Sequence, residues 1–341
     1  MRILLTGATG SVGSRLLEAL RDGDYELSVL VRGATTVAIP DDVTVFEGDV
    51  RDRERLEQAL ANVDVVVYLI HSMGSPGDFE ARDRQAARTF ERAASAAGVD
   101  RVVYLSGLGA DGDDLSAHLR SRREVEVLLG AGTYDLTVLR AAVIVGDDSA
   151  SFRMLFQLAT RLPVMITPRW VDTPCQPIAI EDVIEYLVGV IETPETAGDT
   201  YEIGGPAALS YREMLLETAR ISRGRKPRIL PIPVLSLQLS SYWVGLVTDV
   251  PTSVAYPLIE GMKNPVIVAD DRLESLIEVQ PMGFAAAVRR TVTKRQAASA
   301  RPSSERNWAR RSRGRDHGSE RDHEHERDGD RAHLERPAEK P

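Results

Sequence analysis

The chain contains very few residues that could supply a thiol or an ammonium group. Cys175 is the single cysteine, which excludes intramolecular disulfides and cannot by itself build a zinc site. Lysine is also scarce, since only four of the 42 basic residues are lysines and the first of them is Lys226. The first two thirds of the chain therefore contain neither a phosphate-binding lysine of the GxxxxGK[ST] type nor a lysine that forms a Schiff base.

Charge and hydropathy exclude further classes of protein. The 341 residues carry a net charge of −9, and residues 1–300 alone carry −10, which argues against nucleic-acid binding because that function needs a basic face. The longest stretch without charge, residues 229–248, contains Pro231, Pro233 and Gln238 and is a poor membrane span. We interpret it as part of a second lobe, with contact at a membrane surface as the alternative.

The first residues lack the basic and apolar regions of a signal peptide, because a strand pattern begins directly after Met1. This pattern predicts a cytoplasmic protein. A peripheral position on the inner face of the membrane remains the alternative, in keeping with the uncharged stretch described above.

Short β-branched runs alternate with amphipathic helical stretches over the first 145 residues. The predicted strands are residues 2–6, 26–31, 43–47, 65–70, 101–106 and 136–140, and the predicted helices are residues 11–22, 52–61, 78–97 and 113–130. Alternation of this kind is typical of an α/β fold, a Rossmann-like doubly wound parallel sheet.

Composition divides the chain into three regions. Residues 1–146 are predicted to form the dinucleotide-binding Rossmann domain, and residues 147–296 a small, mainly helical, proline-rich substrate or cap lobe interwoven with the Rossmann sheet. Residues 297–341 mix arginine, acidic residues and histidine with almost no apolar side chains, which predicts a disordered tail. Four of the six histidines lie there, where a solvated tail is favoured over a metal site.

A glycine-rich turn joins the first predicted strand to the first predicted helix. The segment reads Thr-Gly-Ala-Thr-Gly-Ser-Val-Gly from residue 6 to residue 13, between a strand and a helix, which is the context that makes a dinucleotide site specific. The free N–H groups at the start of the helix would then bind the phosphates. The cofactor residues predicted here are Gly7, Thr9, Gly10, Ser11, Val12 and Gly13.

The end of the second predicted strand distinguishes the two nicotinamide cofactors. Enzymes that prefer NAD usually place an acidic residue there to hold the ribose 2′-hydroxyl, whereas this chain has Arg32 followed by Gly33. An arginine can pair with a 2′-phosphate. The sequence therefore predicts a preference for NADP(H) over NAD(H).

Two more strand ends should face the same crevice if the sheet is doubly wound. Asp49 and Val50 follow the third strand and are predicted to contact adenine, while Ile70 and His71 follow the fourth. His71 could exchange protons near neutral pH, although lining the cofactor channel is the favoured interpretation.

These motifs resemble those of the short-chain dehydrogenase/reductase superfamily, and the TGATGxxG form at residues 6–13 is that of its atypical branch. Gly-Asp-Val at residues 48–50 and Tyr-Leu-Ser-Gly at 104–107 carry the same superfamily resemblance. Three further stretches, residues 71–74 with 77–79, residues 118–122, and residues 138–146 with 168–170, are similar to a bacterial family of NAD(P)-binding, often membrane-associated proteins. That family resembles in turn the nucleotide-binding accessory subunit of respiratory complex I and NmrA-like redox sensors. The resemblance covers about residues 1–295.

The superfamily's usual catalytic group is a serine, a tyrosine and a lysine four residues after the tyrosine. Ser106 matches the serine, but His118 and Arg122 stand where the tyrosine and lysine would be. In one interpretation His118 donates the proton while Arg122 holds the ribose or a phosphate, since the two share a helical face. In the other, the dinucleotide is bound without turnover by a redox sensor or a structural subunit of a respiratory or membrane complex.

The resemblance also places Val143 near the nicotinamide, and Arg153, Arg169 and Trp170 in the lobe that covers a substrate. The uncharged stretch with Tyr242 and Trp243 is compatible with a hydrophobic small molecule such as a quinone or isoprenoid. The leading expectation is thus an NADP(H)-binding oxidoreductase of reductase, dehydrogenase or epimerase type that lacks the Tyr–Lys pair.

Overall fold

A computed structural model describes residues 1–33, 39–72, 78–109, 115–231 and 244–300, except for the side chains of residues 169, 170, 231 and 298–300. Residues 1–295 form one compact unit. Of the second unit, residues 296–341, the described part is the end of the last helix. Residues 297–300, the start of the predicted disordered tail, belong to this helix, and the rest of the predicted tail lies outside the described residues.

The order of elements along the described chain follows the predicted alternation. The strands are β1 (Arg2–Thr6), β2 (Glu26–Val31), β3 (Thr44–Glu47), β4 (Val65–Tyr68), β5 (Arg101–Gly107), β6 (Asp135–Ala141), β7 (Ile144–Val145), β8 (Val164–Thr167), β9 (Pro174–Cys175), β10 (Ile178–Ala179), β11 (Thr200–Ile203), β12 (Leu209–Ser210) and β13 (Arg228–Pro231). The helices are α1 (Ser11–Leu20), α2 (Arg53–Leu60), α3 (Phe79–Ala97), α4 (Ala117–Leu129), α5 (Ala150–Arg161), α6 (Ile180–Glu192), α7 (Tyr211–Arg223), α8 (Thr252–Gly261) and α9 (Phe284–Ala300).

Seven strands form one parallel sheet in the order β11-β6-β5-β4-β1-β2-β3. The order reverses between β1 and β4, and a ligand crevice forms at such a switch point, outside the carboxyl ends of the strands. The predicted Rossmann-like fold is confirmed. The crevice is lined by the residues that follow β1, β2, β3, β4 and β5, which is where the sequence motifs lie.

Helices cover both faces of this sheet, which explains why its strands are continuous apolar runs. One face packs against α1 and α6, with Leu16, Leu187 and Val190 fully buried among residues of the strands. The other face packs against α2, α3 and α4 through side chains such as Leu56 and Phe90. Asp52, Asp78 and Ser116 cap these three helices through their side chains, so the starts of α2, α3 and α4 are encoded locally.

A third cluster of buried side chains lies in the region after β6. It joins α5, α7, α8 and α9 and includes Phe152, Met214, Ile259 and Val288. Short strand pairs, β7 with β10, β8 with β13 and β9 with β12, brace it. This region forms one side of the crevice.

The sequence interpretation missed β11, which belongs to the large sheet although it begins 59 residues after β6 ends at Ala141. Buried Arg101 at the start of β5 donates to the Oγ1 atoms of Thr137 at 2.9 Å and Thr196 at 2.6 Å. These bonds fix the segment that leads into β11. Residues 178–203 thus contribute a helix and a strand to the Rossmann layers.

Candidate active site

The turn after β1 brings helix α1 into unusually close contact with the sheet. Gly7 has a φ of +75°, and a Cβ atom there would lie 2.9 Å from the carbonyl oxygen of Leu69. A Cβ atom on Gly13 would lie 2.2 Å from the carbonyl oxygen of Gly7. Both positions therefore require glycine, as the motif predicts.

The first turn of α1 is built to receive an anion. Gly10 precedes the helix and provides no side-chain cap, so backbone N–H groups point from the helix start toward the crevice. The buried Oγ atom of Ser11 makes no hydrogen bond within the described part of the chain. A pyrophosphate oxygen would satisfy these donors, so the residues present fit the phosphates of a dinucleotide.

Two adjoining cavities extend from this turn along the carboxyl edge of the sheet. The first, of about 520 Å³, lies over β2 and β3, and the second, of about 540 Å³, lies between β5, β6 and the third cluster. Gly7, Gly10, Leu69 and His71 line both, so the glycine turn stands at the junction. Two joined compartments of this size suit the two halves of a dinucleotide.

The first cavity is rich in arginine. Arg32 lies on its wall with an exposed side chain, and the structure adds Arg51 and Arg82, which sequence reasoning missed. The one acidic side chain among the described lining residues, Asp49, pairs with Arg51 through both carboxylate oxygens at 2.9 Å. The hydrogen bonds from Arg51 hold the pKa of Asp49 below its usual value. This cavity thus offers net positive charge.

The second cavity contains the residues that the superfamily pattern singled out. Ser106, His118 and Arg122 line it together with Ser11, Val12 and Gly13 of the helix start. Ala142 and Ile144 lie beside the predicted Val143, whose own side chain packs into the third cluster instead. Pro251, Val254 and Leu258 close the side opposite the sheet.

Ser106 is held by a buried carboxylate that the sequence interpretation did not find. Its Oγ donates to Oε1 of Glu126 at 2.5 Å, and Glu126 is only 9% exposed. Arg123 at 2.7 Å and Arg140 at 2.6 Å also donate to this carboxylate, so two guanidinium groups balance its charge. The serine proton therefore points to Glu126, and the remaining lone pair of Oγ is available to accept a hydrogen bond.

Both histidines of the described chain lie at the second cavity and carry shifted pKa values. Burial and the nearby charge of Arg122 lower the pKa of His118 well below 6.5. The same causes lower the pKa of His71 to about 3. Both rings are consequently neutral near pH 7. This changes the role expected of His118, because a neutral imidazole donates a hydrogen bond through N–H but is a poor proton donor.

Arg122 lies between the cavity and the protein interior. Its Nη1 donates to the hydroxyl of Tyr104 at 3.2 Å, and its guanidinium carbon lies 6.0 Å from the centre of that ring. Since Tyr104 belongs to β5, the contact fixes the charge of Arg122 near the end of the strand. Arginine stays protonated, so Arg122 can bind and orient a ligand but cannot exchange a proton.

The structure gathers almost all the predicted site residues around one crevice. The residues that line one or both cavities are Gly7, Thr9, Gly10, Ser11, Val12, Gly13, Arg32, Asp49, Val50, Ile70, His71, Ser106, His118 and Arg122. Val143 is the predicted cofactor residue that does not appear among the described lining residues. Tyr242, Trp243 and the side chains of Arg169 and Trp170 lie outside what the structure describes.

The sequence interpretation also missed ion pairs that join α1 to the segment between β7 and α5. Arg15 of α1 pairs with Asp147 and, at 3.2 Å, with Asp148, which lie between β7 and α5. In the sequence, these ion pairs are indicated only by the two adjacent acidic residues that follow the β6 motif. No set of three metal-ligating side chains occurs within the described ranges.

Comparison with known families agrees with this geometry. Residues 7–161 match the model of a family described as NAD(P)H-binding. The match covers a little under half of the chain. It confirms the resemblance inferred from the motifs over these residues, which include the glycine turn, the strand ends at both cavities and α5.

The chain is similar to curated proteins of two different kinds, a reductase and a subunit of a complex. Ceramide reductase of Caulobacter vibrioides is 28% identical over 244 residues, which cover 68% of this chain and 73% of the reductase. Subunit 9 of the NADH dehydrogenase [ubiquinone] 1 alpha subcomplex of Dictyostelium discoideum is 25% identical over 224 residues. That match covers 61% of this chain and 60% of the subunit, less than two thirds of its length.

Solved structures share the fold. A nucleoside-diphosphate-sugar epimerase from Staphylococcus aureus superposes with a TM-score of 0.67 at 20% identity, covering 85% of this chain and 100% of the epimerase. MoeE5 in complex with UDP-glucuronic acid and NAD superposes with a TM-score of 0.65 at 20% identity, covering 87% and 100%. At these identities the structures establish the fold of the chain.

We expect stability to depend on His118 below neutral pH. The folded chain keeps this ring neutral, whereas the unfolded chain protonates it below about pH 6.5, so the unfolded state binds more protons there. His118 should therefore reduce the free energy of unfolding as pH falls, by up to about 1.4 kcal/mol per pH unit. Urea unfolding of the wild type and His118→Gln from about pH 7 to about pH 5 would measure this. Parallel pH dependences would contradict the assignment.

Proposed function

We propose that this protein is an NADP(H)-dependent oxidoreductase whose site lacks the Tyr–Lys pair. One observation carries the proposal: the predicted cofactor residues line two joined cavities, and the second continues past the glycine turn into a space walled by Pro251, Val254 and Leu258. The first cavity would hold the adenosine half of the dinucleotide. The second would hold the nicotinamide half and a substrate beside it.

The charge of the first cavity supports a preference for NADP(H). Arg32 at the end of β2, with Arg51 and Arg82 nearby, offers guanidinium groups to a 2′-phosphate, while Asp49 is already paired with Arg51. An acidic residue for the ribose 2′-hydroxyl is missing directly after β2, where Arg32 and Gly33 stand. Charge-assisted hydrogen bonds of this kind contribute about 1.5–3 kcal/mol each.

Cofactor choice can be measured directly. We expect the wild type to bind NADPH at least about 10-fold more tightly than NADH, because one such bond corresponds to a factor of about ten. Arg32→Ala should remove most of this difference by weakening NADPH binding and leave NADH within about twofold. Arg53→Ala, a side chain 73% exposed on α2, serves as the control in fluorescence titrations. Equal affinity of the wild type for both cofactors would refute the preference.

Bound at this site, the dinucleotide supplies hydride transfer, and the chain's own residues then determine how a substrate oxygen is polarised. Arg122 fixes a positive charge at the end of β5, and neutral His118 can donate a hydrogen bond. A preorganised charge and donor stabilise negative charge on oxygen without being proton donors themselves. The reductase name of the Caulobacter relative and the apolar wall of the second cavity support a hydrophobic substrate.

Turnover separates catalysis from simple binding. Purified protein should oxidise NADPH with at least one member of a panel of quinones and aldehydes. His118→Ala should lower that rate by roughly 10- to 100-fold through loss of a hydrogen-bond donor to the reacting oxygen. Val127→Ala, 74% exposed on the same helix α4, should leave it unchanged. Tight NADPH binding without turnover on any panel member would favour a nucleotide-binding subunit or redox sensor.

A specific surface favours this second candidate, a subunit or regulator at a membrane complex. In the β8–β13 pair, Val164, Ile166 and Leu230 are 45%, 56% and 53% exposed on one face. Arg225, Lys226 and Arg228 lie beside them and are exposed. Apolar side chains next to basic ones suit an anionic lipid surface. Within the described ranges, no helix is long and apolar enough to cross a bilayer.

Flotation with vesicles tests the membrane contact. The wild type should float with vesicles of anionic phospholipid, and less so as salt screens the basic residues. Ile166→Ser combined with Leu230→Ser should reduce the floating fraction several-fold, because each loses apolar burial of about 1.5–3 kcal/mol. The exposed Val127→Ser is the control. Equal flotation of the double variant and the wild type would remove this surface from consideration.

A further inference from the structure

Arg153 has an unusual environment within the second cavity. It lies on α5 and lines the cavity, yet its Nε atom is buried and has no hydrogen-bond partner. The structure shows no ion pair for this side chain within the described ranges. A guanidinium group that is partly buried without a partner costs free energy, and such groups in native proteins normally meet a counter-charge.

Asp249, the carboxylate that interacts electrostatically with Arg153, is already bound by another arginine, and so are Asp147 and Asp148. Arg15 pairs with Asp147 and Asp148, and Arg161 binds both oxygens of Asp249 at 3.1 Å. Asp148 also lines the second cavity, but its side chain is 66% exposed and directed to Arg15. Arg153 thus shares the charge of Asp249 with Arg161 and has no carboxylate of its own among the described residues.

Much of the wall of the second cavity is apolar, although Ser149 and Ser151 next to Arg153 line it as well. Pro251, Val254 and Leu258 line the cavity from the α8 side, and Ala142, Ile144 and Ala150 from the side of the sheet and α5. A ligand that fills this space must match both features. It needs an anionic group for the guanidinium, which binds carboxylate and phosphate oxygens in pairs, and an apolar body for the walls.

We propose that Arg153 binds the anionic head of an amphipathic substrate, a carboxylate or phosphate attached to an apolar chain. The inference rests on the proposed oxidoreductase function and adds the class of its substrate. The dinucleotide's pyrophosphate is the other source of anionic oxygens. It is the weaker candidate, because the N–H groups of α1 and the Oγ of Ser11 already form a complete receptor for it.

Calorimetric titration with simple probes tests the proposal. The full chain, with and without saturating NADPH, is titrated with octyl phosphate, octanol and inorganic phosphate. Arg153→Gln is compared with Arg153→Lys and with the control Arg53→Gln, whose side chain is 73% exposed on α2 and lies outside both cavities. Thermal melts confirm that each variant folds.

We expect octyl phosphate to bind the wild type, to bind Arg153→Gln at least about tenfold more weakly, and to bind Arg53→Gln within about twofold of the wild type. Arg153→Lys should restore part of the affinity, and octanol should not distinguish the variants. Equal binding of octyl phosphate to the wild type and Arg153→Gln, or no binding to either, would overturn the proposal. So would a tenfold loss of NADPH affinity in Arg153→Gln, since Arg153 would then serve the dinucleotide.

The same titrations separate this proposal from the cofactor site. If NADPH fails to bind but octyl phosphate binds the free protein through Arg153, the oxidoreductase proposal fails while the anionic head site stands. If NADPH binds and octyl phosphate does not, the anionic head site fails while the oxidoreductase proposal stands. If inorganic phosphate binds as tightly as octyl phosphate, the apolar walls contribute nothing to binding. That result would rule out an amphipathic substrate.

Discussion

The close contact of α1 with the end of β1 is the constraint on which the site depends. A side chain at Gly13 would meet the carbonyl of Gly7 at 2.2 Å, so the helix can approach the sheet only because both residues are glycine. That approach places the N-terminus of α1 at the switch point of the strand order. It also lets Arg15 reach across to Asp147 and Asp148, which fixes one side of the second cavity. The same contact thus positions both the N-terminus of α1 and one side of the second cavity.

Much of this arrangement could be predicted because its signals are local. Continuous apolar runs identified the buried strands, and the glycine spacing identified the turn that Gly7 and Gly13 form. Arg32 was found because strand ends of a doubly wound sheet must meet at one edge. The prediction of β11 failed for a physical reason: four residues, Thr200–Ile203, gain their place from pairing with β6 and from the bonds that Arg101 makes to Thr196. Such contacts leave no periodic pattern.

The residues that define the chemistry were less predictable. Ser106 and His118 were identified by position, but their protonation depends on neighbours distant in sequence. Glu126 lies 20 residues after Ser106 and accepts its hydrogen bond, and burial together with Arg122 keeps His118 neutral. A sequence pattern specifies which side chains meet; the direction of a hydroxyl proton or a pKa follows from packing. Arg51 and Arg82 were missed for a similar reason, since an arginine after a strand or early in a helix is usually solvated.

These contacts explain how the absence of lysine before residue 226 affects the chemistry of the site. An ammonium group beside a catalytic hydroxyl works by lowering a pKa, and arginine in the same place keeps the charge while giving up proton exchange. Around the second cavity the other candidate donors are consistent with that change. Ser106 donates its hydrogen bond to Glu126, and both His71 and His118 favour the neutral form. A site so arranged holds positive charge at Arg122 and Arg153 and offers hydrogen bonds, and in the proposed reaction the proton that the substrate needs would come from solvent. Stabilisation of an oxyanion by fixed charge is the chemistry that these residues can perform.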